Sequence, residues 1–205
     1  MFDIKKFGIE IEEDNGRYIY RRNGIEKVVF GKKIIFDLFP IVSSGISNYL
    51  QLKLRIPLVI APGDKIKLEV TAPYDIEVRA LKKKKWIPLE TIYIQKEKYT
   101  LYGPVESGIL CRYFESEIGK KEDTAILSLK IENQTKEWQE IKKIVFPAKF
   151  HLYCDKKIYY PPLDLVLNNL GLTVSKSEAV KGLREIERFI KDIGIQKKYT
   201  MVWGY

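Results

Sequence analysis

The sequence predicts an all-β fold: an antiparallel β-sandwich of the immunoglobulin-like or jelly-roll type with one C-terminal α-helix, in a single domain over residues 1–205. Three observations lead there. Apolar and polar residues alternate with period two along most of the chain. The alternating runs are short, spaced by roughly 8–12 residues, and separated by turn chemistry. Only one segment, near the C-terminus, has the three-to-four spacing of an amphipathic helix.

The elements follow in order. Phe7, Ile9 and Ile11 alternate with Gly8, Glu10 and Glu12, which predicts a first strand. Asp14-Asn15-Gly16 then turns the chain into Tyr18-Ile19-Tyr20, and Asn23-Gly24 turns it again into Ile25–Phe30. Asn-Gly supplies two residues that tolerate positive φ, as a tight hairpin requires. Gly31-Lys32-Lys33 breaks the chain before Ile34-Ile35-Phe36. Leu50, Leu52, Leu54 and Ile56 form a stripe, and Pro62-Gly63-Asp64 leads to a second stripe of Ile66, Leu68 and Val70. Two strand-like runs, 76–81 and 86–89, flank Lys82-Lys83-Lys84-Lys85, which therefore forms a hairpin tip. Ala125, Leu127, Leu129 and Ile131 make the cleanest stripe; Phe150, Leu152 and Cys154 make another. Asp155-Lys156-Lys157 turns that strand back into Ile158-Tyr159-Tyr160, and Tyr199 onward closes the chain as a final strand. Polar residues on alternate positions argue against parallel βαβ units, whose strands are buried on both faces.

The helix is expected over residues 177–193. Ser175 and Glu178 are spaced as a capping box. Ala179, Leu183, Ile186, Ile190 and Ile193 repeat every three or four residues, and Gly194 sits where a C-terminal capping glycine belongs. Its expected role is to cover one end or face of the sandwich.

Composition narrows the function. There are 36 Lys and Arg against 27 Asp and Glu, a net charge of +9. Taken alone this points to an anionic partner. Along the chain, however, the two signs are interleaved on polar strand faces, and Asn and Gln number only six and five. That is the charge-rich, amide-poor pattern of heat-adapted proteins. Two cysteines exclude a disulfide framework and a Cys-rich zinc site, and a single histidine, His151, excludes a histidine-cluster metal centre. The chain begins with no secretion signal and has no apolar run near the roughly 18 residues that span a membrane. A soluble, cytoplasmic protein without membrane insertion is expected. Asn133-Gln134-Thr135 fits a glycosylation sequon, but in that compartment it marks a turn.

Candidate chemistry concentrates in residues 99–118. No phosphate loop, nucleophile elbow or metal-binding helix motif occurs anywhere. In the extended run after Gly108, Arg112 lies between Leu110 and Phe114, whereas Tyr113, Glu115 and Glu117 share the other face. An arginine on an apolar face needs a carboxylate, carbonyls or an anionic ligand. A structural ion pair, with Glu106 or a distant acid, is the default; a ligand-binding arginine is the alternative. If a ligand pocket exists, Tyr102, Arg112, Tyr113 and Glu115 are its candidates. Glu115 and Glu117 could act as paired carboxylates, but strands commonly present such pairs to solvent. His151 is expected at the surface, and Cys111 and Cys154 as buried thiols. The Lys82, Lys83, Lys84 and Lys85 tip is the candidate nucleic-acid contact.

The runs Lys98–Gly103, Gly108–Tyr113 with Ser116-Glu117, and Tyr199–Gly204 resemble a family of archaeal proteins described only as a domain of unknown function. The resemblance implies an archaeal source and one intact domain, and it implies no activity or site residue. The leading expectation is a non-catalytic binding or interaction module without cofactor or metal, whose partner is another protein or a second copy of itself. Nucleic-acid binding through the lysine tip, and an enzyme acting on carbohydrate or phosphate, are the alternatives.

Overall fold

The computed structural model describes residues 3–42, 45–177, 182–186 and 198–205. Strands dominate them, as the alternation predicts. After a single 3₁₀ turn at Ile4–Phe7 come β1 (Glu10–Asp14), β2 (Arg17–Arg22), β3 (Ile25–Phe30), β4 (Ile35–Val42), β5 (Tyr49–Ile60) and β6 (Lys65–Ala72). Then follow β7 (Tyr74–Lys82), β8 (Lys85–Tyr93), β9 (Tyr99–Tyr102), β10 (Ile109–Ser116), β11 (Ala125–Asn133) and β12 (Gln139–Pro147). The last are β13 (Leu152–Cys154), β14 (Ile158–Tyr159), β15 (Leu163–Asn168), β16 (Gly171–Lys176), β17 (Arg184–Ile186) and β18 (Lys198–Met201).

Three expectations need correction. The helix expected over 177–193 is not seen. Its central residues, Arg184–Ile186, are extended and pair antiparallel with β13. The amide of Ser177 donates to the Pro162 carbonyl at 2.9 Å, and residues 178–181 and 187–193 lie outside the described residues. Cross-strand pairing there outweighs the helical spacing of Leu183 and Ile186. Second, the sheets are mixed rather than purely antiparallel. β10 runs parallel to β5, and β11 runs parallel to β14 and β15 while its other edge pairs antiparallel with β6. Third, the first strand begins only at Glu10. The Asp3 side chain accepts from the Lys5 amide and Gly8 adopts φ 65°, which closes Ile4–Phe7 as a 3₁₀ turn.

The chain forms two compact units. The first comprises residues up to Pro40 together with Asp75–Ile92; the second comprises Ile41–Tyr74 and Tyr93–Tyr205. In the first, β1, β2 and β3 form a meander. Its turns, Asn15-Gly16 and Asn23-Gly24, both have positive φ at the two central positions, as the sequence predicts. A second three-stranded sheet has the order β4-β7-β8. Tyr18, Ile34 and Ala80 form a small core, with Phe36 and Leu89 packed against it. Beside it the Glu90 carboxylate accepts from the hydroxyl of fully buried Tyr20 and pairs with Arg22. Burial, reinforced by Glu90, raises the Tyr20 phenol well above its ordinary pKa.

The second unit contains a four-stranded sheet, β12-β5-β10-β9, and an eight-stranded sheet, β17-β13-β14-β11-β15-β16-β18 with β6 on β11. The stripes read from the sequence are buried in part, since Ile56 of β5 and Ile66 of β6 are exposed. Leu50, Leu52 and Leu54 of β5 lie in the core, as do Leu127, Leu129 and Ile131 of β11 and Leu163, Leu165 and Leu167 of β15. Each such side chain contributes about 1.5–3 kcal/mol relative to leaving it in water. The two sheets are tied where β6 meets the end of β10. There Ser116 Oγ donates to the Thr71 carbonyl at 2.6 Å, and the Glu117 amide donates to Thr71 Oγ1 at 2.9 Å.

Asn133, at the end of β11, has no exposed surface. Its Nδ2 donates to the carbonyls of Ile60, Ala61 and Glu137 at 3.0, 3.1 and 2.8 Å, and its Oδ1 accepts from the Thr135 amide and hydroxyl. The apparent sequon is a buried turn organiser, so the turn expectation holds.

The lysine hairpin is also present, and its conformation is costly. Lys83 and Lys84 occupy the two-residue turn between β7 and β8 with φ 48° and 64°. Residues with a Cβ disfavour that region by roughly 1–2 kcal/mol each. Replacing Lys83-Lys84 with Asn-Gly should therefore raise stability by about 1 kcal/mol in urea unfolding. No gain, or a loss, would show that the lysines make compensating contacts.

Candidate functional site

The structure separates the four residues singled out from the sequence into two pairs. Tyr113 and Glu115 line a groove of about 360 Å³ in the second unit, whereas Tyr102 and Arg112 are buried and do not line it. β10 makes this separation. Its Cα positions Tyr113 and Glu115 stand opposite Gln51 and Lys53 of β5, and the Tyr113 amide donates to the Lys98 carbonyl at 2.8 Å. That bond sets the segment 95–98 along one wall. Phe114 and buried Thr71 add to the groove lining.

The polar wall is cationic. Lys96, Lys98 and Lys121 line the groove together with the acids Glu115 and Glu122. Lys121 Nζ lies 3.3 Å from Glu117, which Arg55 also contacts at 3.1 Å. These two cations hold the Glu117 carboxylate below its ordinary pKa, so it is ionised at neutral pH and is no proton donor. Among the described residues, neither Lys96 nor Lys98 has an ion-pair partner. Tyr113 donates to Glu115 Oε1 at 3.1 Å, and burial followed by this carboxylate raises the phenol pKa. Besides Lys121, the groove thus offers two ammonium groups, two carboxylates and two aromatic rings.

Arg112 works from beneath. Its side chain is 2% exposed, its Nη2 donates to the Gln95 carbonyl at 3.3 Å, and its guanidinium lies 5.5 Å from the Tyr93 ring centroid. It braces the stretch that carries Lys96 and Lys98. Tyr102 has a different setting. Its hydroxyl accepts from the Trp203 amide at 3.1 Å, its ring meets Trp203 edge-on, and Lys143 Nζ stands 5.2 Å from its centroid.

The remaining candidates are dispersed. His151 Nδ1 lies 3.2 Å from Glu185, on the edge strand of the other sheet. Both cysteines are free. At the lysine tip, Lys82 Nζ donates to the Phe30 carbonyl at 2.7 Å, so it is occupied, and Lys83, Lys84 and Lys85 are exposed. Among the described residues no three His, Cys, Asp or Glu side chains converge as a metal site, and no helix is long and apolar enough to cross a membrane. Sequence reasoning missed Lys96, Lys98 and Lys121. The available signal was the polar run Gln95-Lys96-Glu97-Lys98 immediately before Tyr99, which the antiparallel register of β9 with β10 sets beside Tyr113.

Fold and site together define a strand-built protein with mixed sheets and a polar groove at the junction of two of them. The chain belongs to the family described as Protein of unknown function (DUF432), which matches residues 1–198. No curated protein and no solved structure matches it.

The buried thiol gives a direct test of this description. Burial pushes Cys111 up to about 12, so it is protonated at neutral pH, whereas an unfolded cysteine ionises near pH ~8.5. The folded state therefore holds the proton more tightly. Stability from this group is complete below about pH 8.5 and falls as the pH rises toward the folded value. A thiol-reactive chromogen at about pH 7.5 should leave Cys111 untouched in the native protein and react with it only in denaturant. Prompt native reaction of both cysteines would contradict its placement.

Proposed function

We propose that this protein is a non-catalytic binding module whose groove, built on Tyr113 and Glu115, takes a small ligand carrying an anionic group. The observation that carries the reading is the pair Lys96 and Lys98. They line a concavity whose volume of about 360 Å³ falls within the range of ligand sites. Neither is neutralised by an acid among the described residues. An anion entering there replaces water on two ammonium groups, while Tyr113 and Phe114 offer apolar surface to the rest of the ligand. Glu115 favours a ligand that also brings a hydrogen-bond donor. Arg112 serves as a positioning residue, acting on the ligand only through the Gln95 segment. The ionised state of Glu117 argues against an acid–base pair with Glu115.

A sandwich arrangement of the two sheets in the second unit is part of the same reading, supported by the Ser116–Thr71 tie between them. The Lys- and Glu-rich, amide-poor composition supports a heat-adapted host, and the resemblance of its motifs supports an archaeal one.

Thermal unfolding at low salt with citrate, inorganic phosphate and AMP tests the proposal. A ligand present at tenfold its Kd adds about 1.4 kcal/mol, which raises Tm by about 4 °C for a chain of this size. At least one of the three should do so. The Lys96→Ala/Lys98→Ala protein should lose the shift, and a Lys83→Ala/Lys84→Ala protein should keep it. No shift with any of them, or an equal shift in the Lys96/Lys98 variant, would refute the groove as the site.

A further inference from the structure

A second concavity, of about 690 Å³, lies at another place in the second unit, and its chemistry differs from that of the groove. Gln134, Gln139, Asn168 and Asn169 line it, together with Thr135 and Tyr205. The whole chain has only six Asn and five Gln. Four of those eleven amides face this one pocket, and a fifth, Asn133, is buried in the turn that shapes its wall. Such a concentration stands out in a protein that elsewhere covers itself with charge. The two charged residues of the lining, Lys136 and Glu137, cancel.

The walls are fixed before any ligand arrives. Asn133 Nδ2 donates to the Glu137 carbonyl, and Thr135 is held by Asn133 Oδ1. Gln139 Nε2 donates to Thr135 Oγ1 at 3.3 Å, and Tyr205 donates to Gln139 Oε1 at 2.9 Å. On the opposite side the Leu170 amide donates to Asn168 Oδ1 at 2.9 Å. Gly171 has φ 126°, and a Cβ there would collide with the Met201 carbonyl oxygen. The loop therefore lies flush against the end of β18. Exposed Leu170 and Val202 give the pocket apolar surface beside its amides.

We infer that this pocket binds a neutral polyhydroxylated ligand of saccharide size. An amide presents a donor and an acceptor side by side, which matches a hydroxyl pair that also donates and accepts. Apolar side chains suit the C–H face of a sugar ring. An anionic ligand finds no net positive charge there, and a purely apolar one would take water from the Gln134 carbonyl oxygen and the exposed Asn169 amide without replacing it. The volume is within the roughly 300–1,000 Å³ of small-molecule sites. The inference is independent of the lysine groove.

The test is a titration of the ¹⁵N-labelled full chain with maltose, cellobiose and myo-inositol, each to about 10 mM, since isolated sugar sites bind in the millimolar range. At least one should move the backbone amides of 134–139 and 168–171 in a saturable way. A response to either disaccharide identifies a saccharide site, and a response to inositol alone identifies a compact polyol site of the same chemistry. Gln139→Ala should weaken binding at least tenfold. Asn169→Ala, on an exposed loop, gives the same readout if the first change disturbs the wall. Both should leave the remaining amide spectrum in place, and Lys96→Ala/Lys98→Ala should leave binding unchanged. No saturable shift with any of the three compounds, or undiminished shifts in both variants, would overturn the inference.

Discussion

A single buried amide closes one end of the second unit. Asn133 ends β11, and its side chain reaches the carbonyls of Ile60 and Ala61, where β5 gives way to the turn before β6, and that of Glu137, just before β12. Its backbone takes part as well: the amide donates to the Asp64 carbonyl, and the carbonyl accepts from the Gly63 amide. The next amide, that of Gln134, donates to the Leu167 carbonyl in β15. Strands of both sheets of the unit are thereby fixed at one point. A buried carbonyl left without a donor costs about 1–3 kcal/mol. The amide's two hydrogens serve three acceptors, one of them shared.

This closure has consequences for the surface. Pinning Glu137 and Thr135 holds the 134–139 loop open as one wall of the amide-lined pocket. At a different place in the same unit, the antiparallel pairing of β10 with β9 runs on past Arg112 and Tyr99 and brings Tyr113 beside Lys98 and the 95–98 segment, which Arg112 braces from below. Two concavities of opposite character result. One is charged and aromatic; the other is neutral and rich in amides. Each is built on backbone that a buried polar side chain holds in place, so each is formed without a ligand.

Much of the local structure was legible in the sequence because local chemistry decides it. Asn15-Gly16 and Asn23-Gly24 specify tight turns through two adjacent residues. The stripe Ala125, Leu127, Leu129 and Ile131 specifies a buried strand face, and the structure buries it. The C-terminal segment misled, because the spacing of Leu183 and Ile186 suits a helix face, and only the distant partner β13 fixes Arg184–Ile186 as a strand. Alternation separates a half-buried strand from one buried on both faces, but inside a mixed sheet it does not give the direction of the neighbouring strand. The parallel pairing was therefore invisible, whereas the adjacency of Lys98 and Tyr113 continues the antiparallel register of β9 with β10. Arg112 was recognised as a guanidinium among apolar neighbours, but the Gln95 carbonyl that it reaches has no signature in sequence. Asn133 was recognised as a turn residue; that it joins five strands depends on where β5, β6, β12 and β15 end.

The closure is tested most directly by Asn133→Asp, which keeps the shape and replaces two donors with a carboxylate facing three carbonyls. Urea unfolding at about pH 7 should reveal a loss of about 3 kcal/mol or more. Burial and the carbonyls raise the folded-state pKa of that aspartate above its unfolded value of about 3.9, so its proton is held more tightly when folded. The deficit should therefore shrink as the pH falls toward about 4, where the protonated carboxyl again supplies one donor. A variant as stable as the parent within about 0.5 kcal/mol at pH ~7 would contradict the account.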